Sequence, residues 1–286
     1  MTKKIWAAAA VGLLVLFPAC TDLTEVPQSA ITPENFYRNE DEVIGGLASV
    51  YAQLRTTNDE YYNLSEISTD EMIVPTRGQD WYDNGKWLDI HRQTFTPTSP
   101  AGLDNINSAW VNLFQGVARA NVVLAGVSSA TFASKTTVTA ELRALRAFYY
   151  FMLMDMFGGV PIATDPAIEA RPQASRDSVF RFVEAELKAA RPDLPATWSA
   201  AMNGRITKGA VDAMLASLYL NAQVFNGRQL QLARDHLRHQ VRTGERPRHE
   251  LPDARFALQP VRQPVTVERL LDVGRYLRRV QLERPA

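Results

Sequence analysis

The strongest constraint on the fold is the almost wholly apolar run AFYYFMLMDMF, residues 147–157. A helix that is apolar on every side has to be buried on every side, so this run predicts a central helix, which we place at Thr137 to Phe157. Gly158-Gly159 ends the helix, and Pro161 prevents it from resuming. A membrane-spanning helix is the competing interpretation, but it needs about 20 apolar residues, and this run is shorter and contains Asp155.

Three further segments carry apolar residues at the spacing of an amphipathic helix. They are Asn107 to Gly126, Asp177 to Ala190 and Thr207 to Phe225. With the central helix they form two successive pairs, 107–126 with 137–157 and 177–190 with 207–225. This spacing is typical of tetratricopeptide-like (TPR-like) helical solenoids, and no strand-rich region of any size interrupts it. The sequence therefore predicts an all-α fold, a TPR-like scaffold of helical pairs with a long irregular loop insertion.

An N-terminal helix and that loop insertion precede the pairs. Thr32 as N-cap and Pro33 at the first helical position predict a helix from Glu34 to about Arg55. Residues 57–106 are polar, aromatic and rich in Pro, Gly, Asp and Asn, which predicts irregular structure. Irregular segments of this length in compact domains are usually functional or disordered. The insertion is therefore the first place to look for a binding site.

The first twenty residues have the plan of a secretion signal. Lys3 and Lys4 precede an uncharged run from Ile5 to Phe17, and the small Ala19 stands directly before Cys20. A cysteine at the cleavage point resembles a bacterial lipobox, so residues 1–19 are predicted to be a signal peptide and Cys20 to be acylated. Several acyl chains on one cysteine anchor a protein stably to a membrane. The alternative is an ordinary secretion signal with a coincidental cysteine.

Three long stretches, in the correct order, resemble the SusD/RagB family of outer-membrane nutrient-binding lipoproteins. They are SAWVNLFQGVARANVVL (108–124), AELRALRAFYYFMLMDMFGGVPI (140–162) and GRITKGAVDAMLASLYLNAQVFNG (204–227). The resemblance covers roughly residues 1–227, so residues 20–227 are interpreted as a SusD-like N-terminal TPR-type domain. Members of the family are much longer, and nothing in this sequence matches their C-terminal half.

The resemblance implies a lipoprotein that a lipid anchor holds in the outer membrane at the cell surface. Its function would be to capture a glycan or oligosaccharide and deliver it to a SusC-like TonB-dependent transporter. The sequence contains no zinc-ligand spacing, phosphate-binding glycine loop or serine-elbow motif, so neither an enzyme nor a cofactor is expected.

The stretch TRGQDWYDNGKW, Thr76 to Trp87, places three large aromatic residues among turn-forming residues. A sugar ring has an apolar face and a rim of hydroxyl groups, and Trp and Tyr offer a flat apolar plate with a polar edge. Asp, Asn and Arg side chains supply the hydrogen bonds that orient hydroxyl groups. The candidate glycan-contacting residues are Arg77, Asp80, Trp81, Tyr82, Asp83, Asn84 and Trp87.

Other interpretations of this stretch stay open. In one, Trp81 and Trp87 pin the loop to the scaffold, while Asp80 and Asp83 make turn hydrogen bonds. At the level of function, the alternative is a TPR-like adaptor that binds only protein. A glycoside hydrolase with Asp80 and Asp83, or Asp70 and Glu71, as its acid pair is a further alternative, but spacing in sequence fixes no separation in space.

The last 59 residues, 228–286, differ abruptly in composition from the rest. They carry 13 arginines and 7 acidic residues but no lysine, isoleucine or tryptophan, so the net charge of zero for the whole chain conceals a basic tail. This composition favours an out-of-frame reading of GC-rich coding sequence, and the tail is interpreted as frameshifted or truncated. The alternatives are a nucleic-acid-binding tail and a divergent surface helix at residues 266–284. Nucleic acid is not an expected partner of a lipoprotein outside the cell.

Overall fold

The computed structural model describes residues 37–227. The predicted signal peptide, Cys20, the predicted helix start at Thr32-Pro33 and the tail 228–286 lie outside the described residues. The α-helices of the described range are α1 Glu40–Ile67, α2 Lys86–His91, α3 Asn107–Ser129, α4 Lys135–Phe157, α5 Arg176–Ala190, α6 Lys208–Leu220 and α7 Ala222–Asn226. Within residues 37–227, the β-type pairing consists of two isolated bridges. The predicted all-α class is confirmed.

The predicted central helix is α4, and it is buried as expected. Tyr149, Leu153 and Met154 are fully buried, and the hydroxyl of Tyr149 donates to the carbonyl oxygen of Val50 in α1 at 2.7 Å. The helix ends at Gly158, which takes a left-handed φ of +74° and whose N–H donates to the carbonyl oxygen of Met154 at 3.0 Å. None of the helices between residues 37 and 227 has the length and apolarity that crossing a membrane requires.

Neighbouring helices pack in chain order around α4. The most extensive contacts join α1 to α3, α3 to α4, and α4 to α5, which confirms the predicted pairing of 107–126 with 137–157. Helix α5 also contacts α6 and α7. The single helix predicted for 207–225 is interrupted at Asn221, whose Nδ2 donates to the carbonyl oxygen of Ser217 at 3.0 Å.

A buried carboxylate fixes the register between α1, α4 and the connection before α6. Glu141 of α4 is fully buried. Its Oε2 accepts hydrogen bonds from the hydroxyl of Tyr51 in α1 at 2.7 Å and from Nε of Arg205 at 3.0 Å. The Tyr51 hydroxyl in turn accepts from the backbone N–H of Ile206 at 2.9 Å. The charge of Glu141 is thus compensated inside the protein, as buried charges require.

The N-terminal end of α1 differs from the prediction within the described residues. Residues 37–39 were expected to be helical, but the helix begins at Glu40. Asn39 is the N-cap, and its Oδ1 accepts from the backbone N–H of Glu42 at 3.0 Å. The N-cap is therefore an Asn side chain, one of the preferred N-cap residues, seven residues after the expected N-cap Thr32.

The C-terminal end of α1 also differs, because the helix runs to Ile67 instead of ending near Arg55. The hydroxyl of Thr57 donates to the carbonyl oxygen four residues earlier at 3.0 Å, a bond that a helix accommodates. One turn later, the hydroxyl of Tyr61 donates to Oδ2 of Asp155 in α4 at 2.9 Å. Tertiary contacts thus extend the helix through a sequence with weak helical propensity, so the irregular insertion begins after Ile67 rather than at residue 57.

Candidate ligand-binding loop

The insertion between α1 and α3 spans residues 68–106 and is partly ordered into short helices. A 3₁₀ turn, Asp83–Gly85, leads directly into α2. A π-helical turn, Gly102–Ile106, leads directly into α3. Short π-helical segments occur frequently at functional sites. The insertion is therefore a defined surface feature that the α1 and α3 ends hold in place.

Polar contacts anchor this insertion to the scaffold. Nε2 of Gln93 donates to the carbonyl oxygen of Ser68, just after α1, at 2.8 Å. Nζ of Lys86 lies 2.6 Å from Oδ2 of Asp104 in the π-helical turn. The middle of the insertion is thus tied both to the end of α1 and to the start of α3.

A tight turn joins Arg77 to Asp80. The N–H of Arg77 donates to the carbonyl oxygen of Asp80 at 3.1 Å, and the N–H of Asp80 donates back at 3.0 Å. Gly78, the first residue inside the turn, has a left-handed φ of +63°, which glycine adopts without strain. Directly paired residues have their Cβ atoms about 5 Å apart, so the two side chains are neighbours. Within residues 37–227, neither side chain has a hydrogen-bond or ion-pair partner.

The chain then adopts several left-handed conformations close together, interrupted at Tyr82, whose φ of −70° is right-handed. The φ angles are +54° at Trp81, +42° at Asp83, +55° at Asn84 and +83° at Gly85. Asp and Asn tolerate this region better than other side chains, whereas a bulky residue such as Trp rarely adopts it. Each such non-glycine conformation costs about 1–3 kcal/mol and persists only where the surroundings hold it. Strain of this kind clusters at ligand-binding sites.

Trp87 lies beneath this strained segment and is only 8% exposed. It packs with Ile67, Ile90 and Ala101 in a small core that is separate from the main core around α4. Its indole Nε1 donates to Oδ2 of Asp83 at 2.6 Å. Burial of the ring, with its polar edge satisfied, gives Trp87 the character of a loop anchor.

Trp81 lies above Trp87 and is 56% exposed. The centroids of the two rings are 6.2 Å apart, and the ring planes are tilted by 56°. Trp81 lines a cleft of about 360 Å³ that we call the Trp81 cleft. Its lining residues are Ile73, Val74, Pro75, Arg77, Asp80 and Trp81. The cleft therefore combines an apolar surface with two charged side chains whose hydrogen-bonding groups are free among the described residues.

A second depression, of about 510 Å³, includes both residues at the turn of the strained segment, Asp83 and Asn84. Its remaining lining residues are Lys86, Thr98, Pro100, Leu103 and Asp104. Polar and apolar groups contribute about equally to this surface, and its lysine and its second aspartate already pair with one another. Within the described part of the chain, no group of three or more His, Cys, Asp or Glu side chains is arranged to hold a metal ion.

The structure distributes the seven predicted residues over four environments. Arg77, Asp80 and Trp81 meet in the Trp81 cleft, and Asp83 and Asn84 face the second depression. The aromatic residues then divide: Tyr82 is exposed but lines neither surface, whereas Trp87 is buried.

Sequence reasoning did not identify the apolar side of the Trp81 cleft, which Ile73, Val74 and Pro75 supply. The available signal was a short apolar run, MIVP at residues 72–75, inside an otherwise polar loop. Such a run is too short to indicate a strand or a helix, and Ile73 is indeed exposed. A short apolar run in a polar loop, close in sequence to a tryptophan, was thus the sign of an exposed apolar surface beside Trp81.

Two curated relatives illustrate how far the similarity extends. The chain is 28% identical to a SusD-like protein of Bacteroides ovatus over 241 residues. The aligned region covers 79% of this chain and 40% of that protein. The chain is 27% identical over 166 residues to the starch-binding protein SusD of Bacteroides thetaiotaomicron, covering 58% and 28% respectively. The chain thus spans at most about two-fifths of the length of these relatives.

Solved structures show the same helical arrangement. A laminarin-binding SusD-like protein, 29% identical, matches with a TM-score of 0.59 over 71% of this chain and 43% of its own. The protein NanU of Bacteroides fragilis, 17% identical, matches with a TM-score of 0.64 over 80% of this chain and 46% of its own. At 17% identity, the match to NanU supports a shared fold and nothing further.

The resemblance found in the sequence is confirmed by a family model that matches residues 28–220. This range covers more than half of the chain and includes every helix from α1 to α6. The protein therefore belongs to the SusD-like family, which is described as "Starch-binding associating with outer membrane".

Proposed function

We propose that this chain binds an oligosaccharide at the Trp81 cleft and catalyses no reaction on it. The observation that carries the proposal is the exposed ring of Trp81 beside two charged side chains, Arg77 and Asp80, that lack partners among the described residues. The indole offers a plate for the apolar face of a sugar. The guanidinium donates to hydroxyl oxygens and the carboxylate accepts from hydroxyl groups.

Binding without catalysis fits the rest of the site better than hydrolysis. A glycoside hydrolase needs two carboxyl groups placed on either side of the scissile bond. In the pair of Asp80 and Asp83, Asp83 accepts a hydrogen bond from the indole N–H of Trp87, while Asp80 lines the Trp81 cleft. The relatives described above that carry a functional name are named for binding starch or laminarin, not for cleaving them.

Location and onward transport are part of the same proposal. Acylation of Cys20 would hold the protein in the outer membrane at the cell surface, and the family description supports an outer-membrane association. There the protein would pass its glycan to a SusC-type TonB-dependent transporter, the partner that the family resemblance implies. The competing function is a TPR-like adaptor that contacts the transporter but no glycan.

The experiment is calorimetric titration of the full chain with malto-oligosaccharides and laminarin oligosaccharides, paired with thermal unfolding. Trp81→Ala is expected to weaken binding about tenfold, equivalent to about 1.4 kcal/mol. The melting temperature should change little, because the Trp81 ring is already more than half exposed.

Phe95→Ala is the matched control, since Phe95 is an exposed aromatic residue of the same insertion that lines neither depression. It should bind like the wild type. A Trp81→Ala protein that melts much earlier yet binds sugar normally would contradict the proposal. A wild-type chain that binds no sugar but still binds the transporter would favour the adaptor.

A further inference from the structure

We infer that Asp83 and Trp87 are positioning residues, whose mutual hydrogen bond holds Trp81 in its ligand-ready conformation before any ligand arrives. The inference rests on the proposed function of the Trp81 cleft. It assigns Asp83 and Trp87, both of which sequence reasoning grouped with the contacting residues, to support of Trp81 rather than to sugar contact.

The first step is the conformational problem at Trp81. Its φ of +54° is unfavourable for a bulky side chain, and Asp83 and Asn84 that follow are also left-handed. A flexible loop would relax such a run into ordinary turn conformations. The run therefore needs contacts that compensate for its strain.

The second step is the contact that encloses the later part of this segment, from Asp83 to Gly85. The side chain of Asp83 lies inside the left-handed segment, and that of Trp87 lies four residues later, in α2. Their hydrogen bond, 2.6 Å from Nε1 to Oδ2, has a charged acceptor, which makes it stronger than a bond between neutral groups. It closes a loop of the chain around the turn Asn84-Gly85, so Asp83 and Asn84 cannot relax without breaking it. Trp81 precedes this loop and is held by its ring contact with Trp87.

The third step is that Trp87 is itself fixed. Ile67 from the end of α1, together with Ile90 and Ala101, surrounds its ring. The ammonium group of Lys86 lies 4.6 Å from the ring centroid and is held there by its ion pair with Asp104. A group that is locked from several sides transmits its position to Asp83 and, through the tilted ring contact at 6.2 Å, to Trp81.

The functional consequence is preorganisation. Ordering a loop and a large side chain during binding weakens affinity, and a site that is already ordered avoids this loss. The two tryptophans of this short stretch therefore have different roles. Trp81 contacts the sugar, and Trp87 holds Trp81 in position.

Four variants of the full chain test this inference by titration with maltoheptaose and laminarihexaose. Asp83→Ala removes the acceptor and should weaken binding about tenfold. Asp83→Asn keeps an acceptor oxygen and should stay within about twofold of wild type. Trp87→Phe keeps an aromatic ring but removes the N–H, so it should weaken binding as Asp83→Ala does. The double variant Asp83→Ala/Trp87→Phe should be no weaker than either single variant, because both remove the same bond.

A ligand-free measurement accompanies the titrations. With ¹⁵N-labelled tryptophan, the indole proton of Trp87 should exchange slowly with solvent in the wild type and in Asp83→Asn, and rapidly in Asp83→Ala. The backbone amide of Trp81 should become mobile on the nanosecond timescale in Asp83→Ala and in Trp87→Phe. Asp59→Ala, which removes an exposed carboxylate from α1 outside the loop, is the matched control and should change neither reading.

Each outcome decides between positioning and its rivals. If Asp83 contacted sugar directly, Trp87→Phe would leave the affinity unchanged, and the positioning role would be wrong. It would also be wrong if Trp81 stayed rigid in Asp83→Ala. If the wild type bound neither sugar, the proposed function would lose its support, while the mobility of Trp81 in the variants would still decide the positioning role.

Discussion

Arg146 of α4 and Glu186 of α5 form a buried ion pair, with Nη2 of the arginine 2.5 Å from Oε2 of the glutamate. The other carboxylate oxygen, Oε1, accepts from Nη2 of Arg143 at 2.7 Å. Nη1 of Arg146 donates to Oδ1 of Asn121 in α3 at 2.8 Å and to the carbonyl oxygen of Thr164 at 3.2 Å. One guanidinium therefore joins three helices and the loop that follows α4.

Glu186→Gln tests how strongly this pair holds the helices. The substitution keeps the shape of the side chain but leaves two arginines without their counter-charge, one of them buried. Removing one partner of a buried pair costs about 3–5 kcal/mol, so the free energy of unfolding from chemical denaturation should fall by that amount. Arg181→Ala, which breaks an exposed pair with Asp177 on the same helix, should cost less than about 1 kcal/mol. An equal fall in the free energy of unfolding in the two variants would show that the buried pair stabilises the protein no more than the exposed pair does.

Leu153→Asp tests the central position of α4. Leu153 is fully buried, and an unpaired charge at such a site costs at least several kcal/mol, a large part of a typical stability of about 5–15 kcal/mol. We expect loss of the cooperative unfolding transition. Val111→Asp places the same charge at a position on α3 that is 40% exposed, and it should unfold nearly as the wild type does. A Leu153→Asp protein with unchanged melting would refute the assignment.

Asp155 gives a pH dependence whose sign follows from its burial. Burial, the largest cause, raises the pKa of Asp155 above its ordinary value of 3.8, while the hydrogen bond from Tyr61 and the charge of Arg176 oppose the rise. A carboxyl group with a raised pKa keeps its proton in the folded protein at pH values where the unfolded chain has lost it. The contribution of Asp155 to stability is therefore greatest at acidic pH and is lost as pH rises through the folded-state pKa.

Asp155→Asn removes this titration but keeps an oxygen that accepts from Tyr61. The variant should unfold at higher denaturant concentration than the wild type at neutral pH, and the difference should shrink as the pH approaches about 4. Paired denaturation curves at several pH values measure this difference directly. A difference that stays constant with pH would mean that the charge of Asp155 does not affect stability.

Cys20→Ala tests the predicted lipid anchor. If Cys20 carries the acyl chains, the variant should leave the membrane fraction, and it should incorporate no labelled palmitate in cells. Thr21→Ala, a change at the neighbouring position, should remain membrane-bound and labelled. Retention of Cys20→Ala in the membrane, with an unlabelled wild type, would contradict the lipoprotein interpretation.

The sequence predicted the helices that carry strong apolar patterns, and it failed where tertiary contacts override local preference. Helix α4 was predictable because nearly every residue from 147 to 157 is apolar, which leaves burial as the one stable outcome. The last turns of α1 were not, because TTND at residues 56–59 has weak helical propensity. Their helical state depends on Tyr61, whose hydroxyl reaches Asp155, a contact between residues 94 positions apart.

The candidate site was predictable as a set of residues but not as an arrangement. Composition identified the stretch from Arg77 to Trp87, since aromatic residues among turn formers are unusual. Composition gave no reason to treat Trp81 and Trp87 differently, because both lie within a few residues of glycine and of charged or amide side chains. Their different exposure arises from the left-handed backbone at Trp81 and the helical start of α2, which are properties of the folded loop.

The small core of Ile67, Trp87, Ile90 and Ala101 stands apart from the main core around α4. Residues that contact solvent in the insertion can therefore be exchanged without disturbing the packing of α3, α4 and α5. The helices therefore form a constant support, and the surface of the insertion can change in sequence independently of them. If the insertion binds sugar as proposed, a graft of residues 68–106 from a relative onto these helices should transfer the sugar preference of that relative.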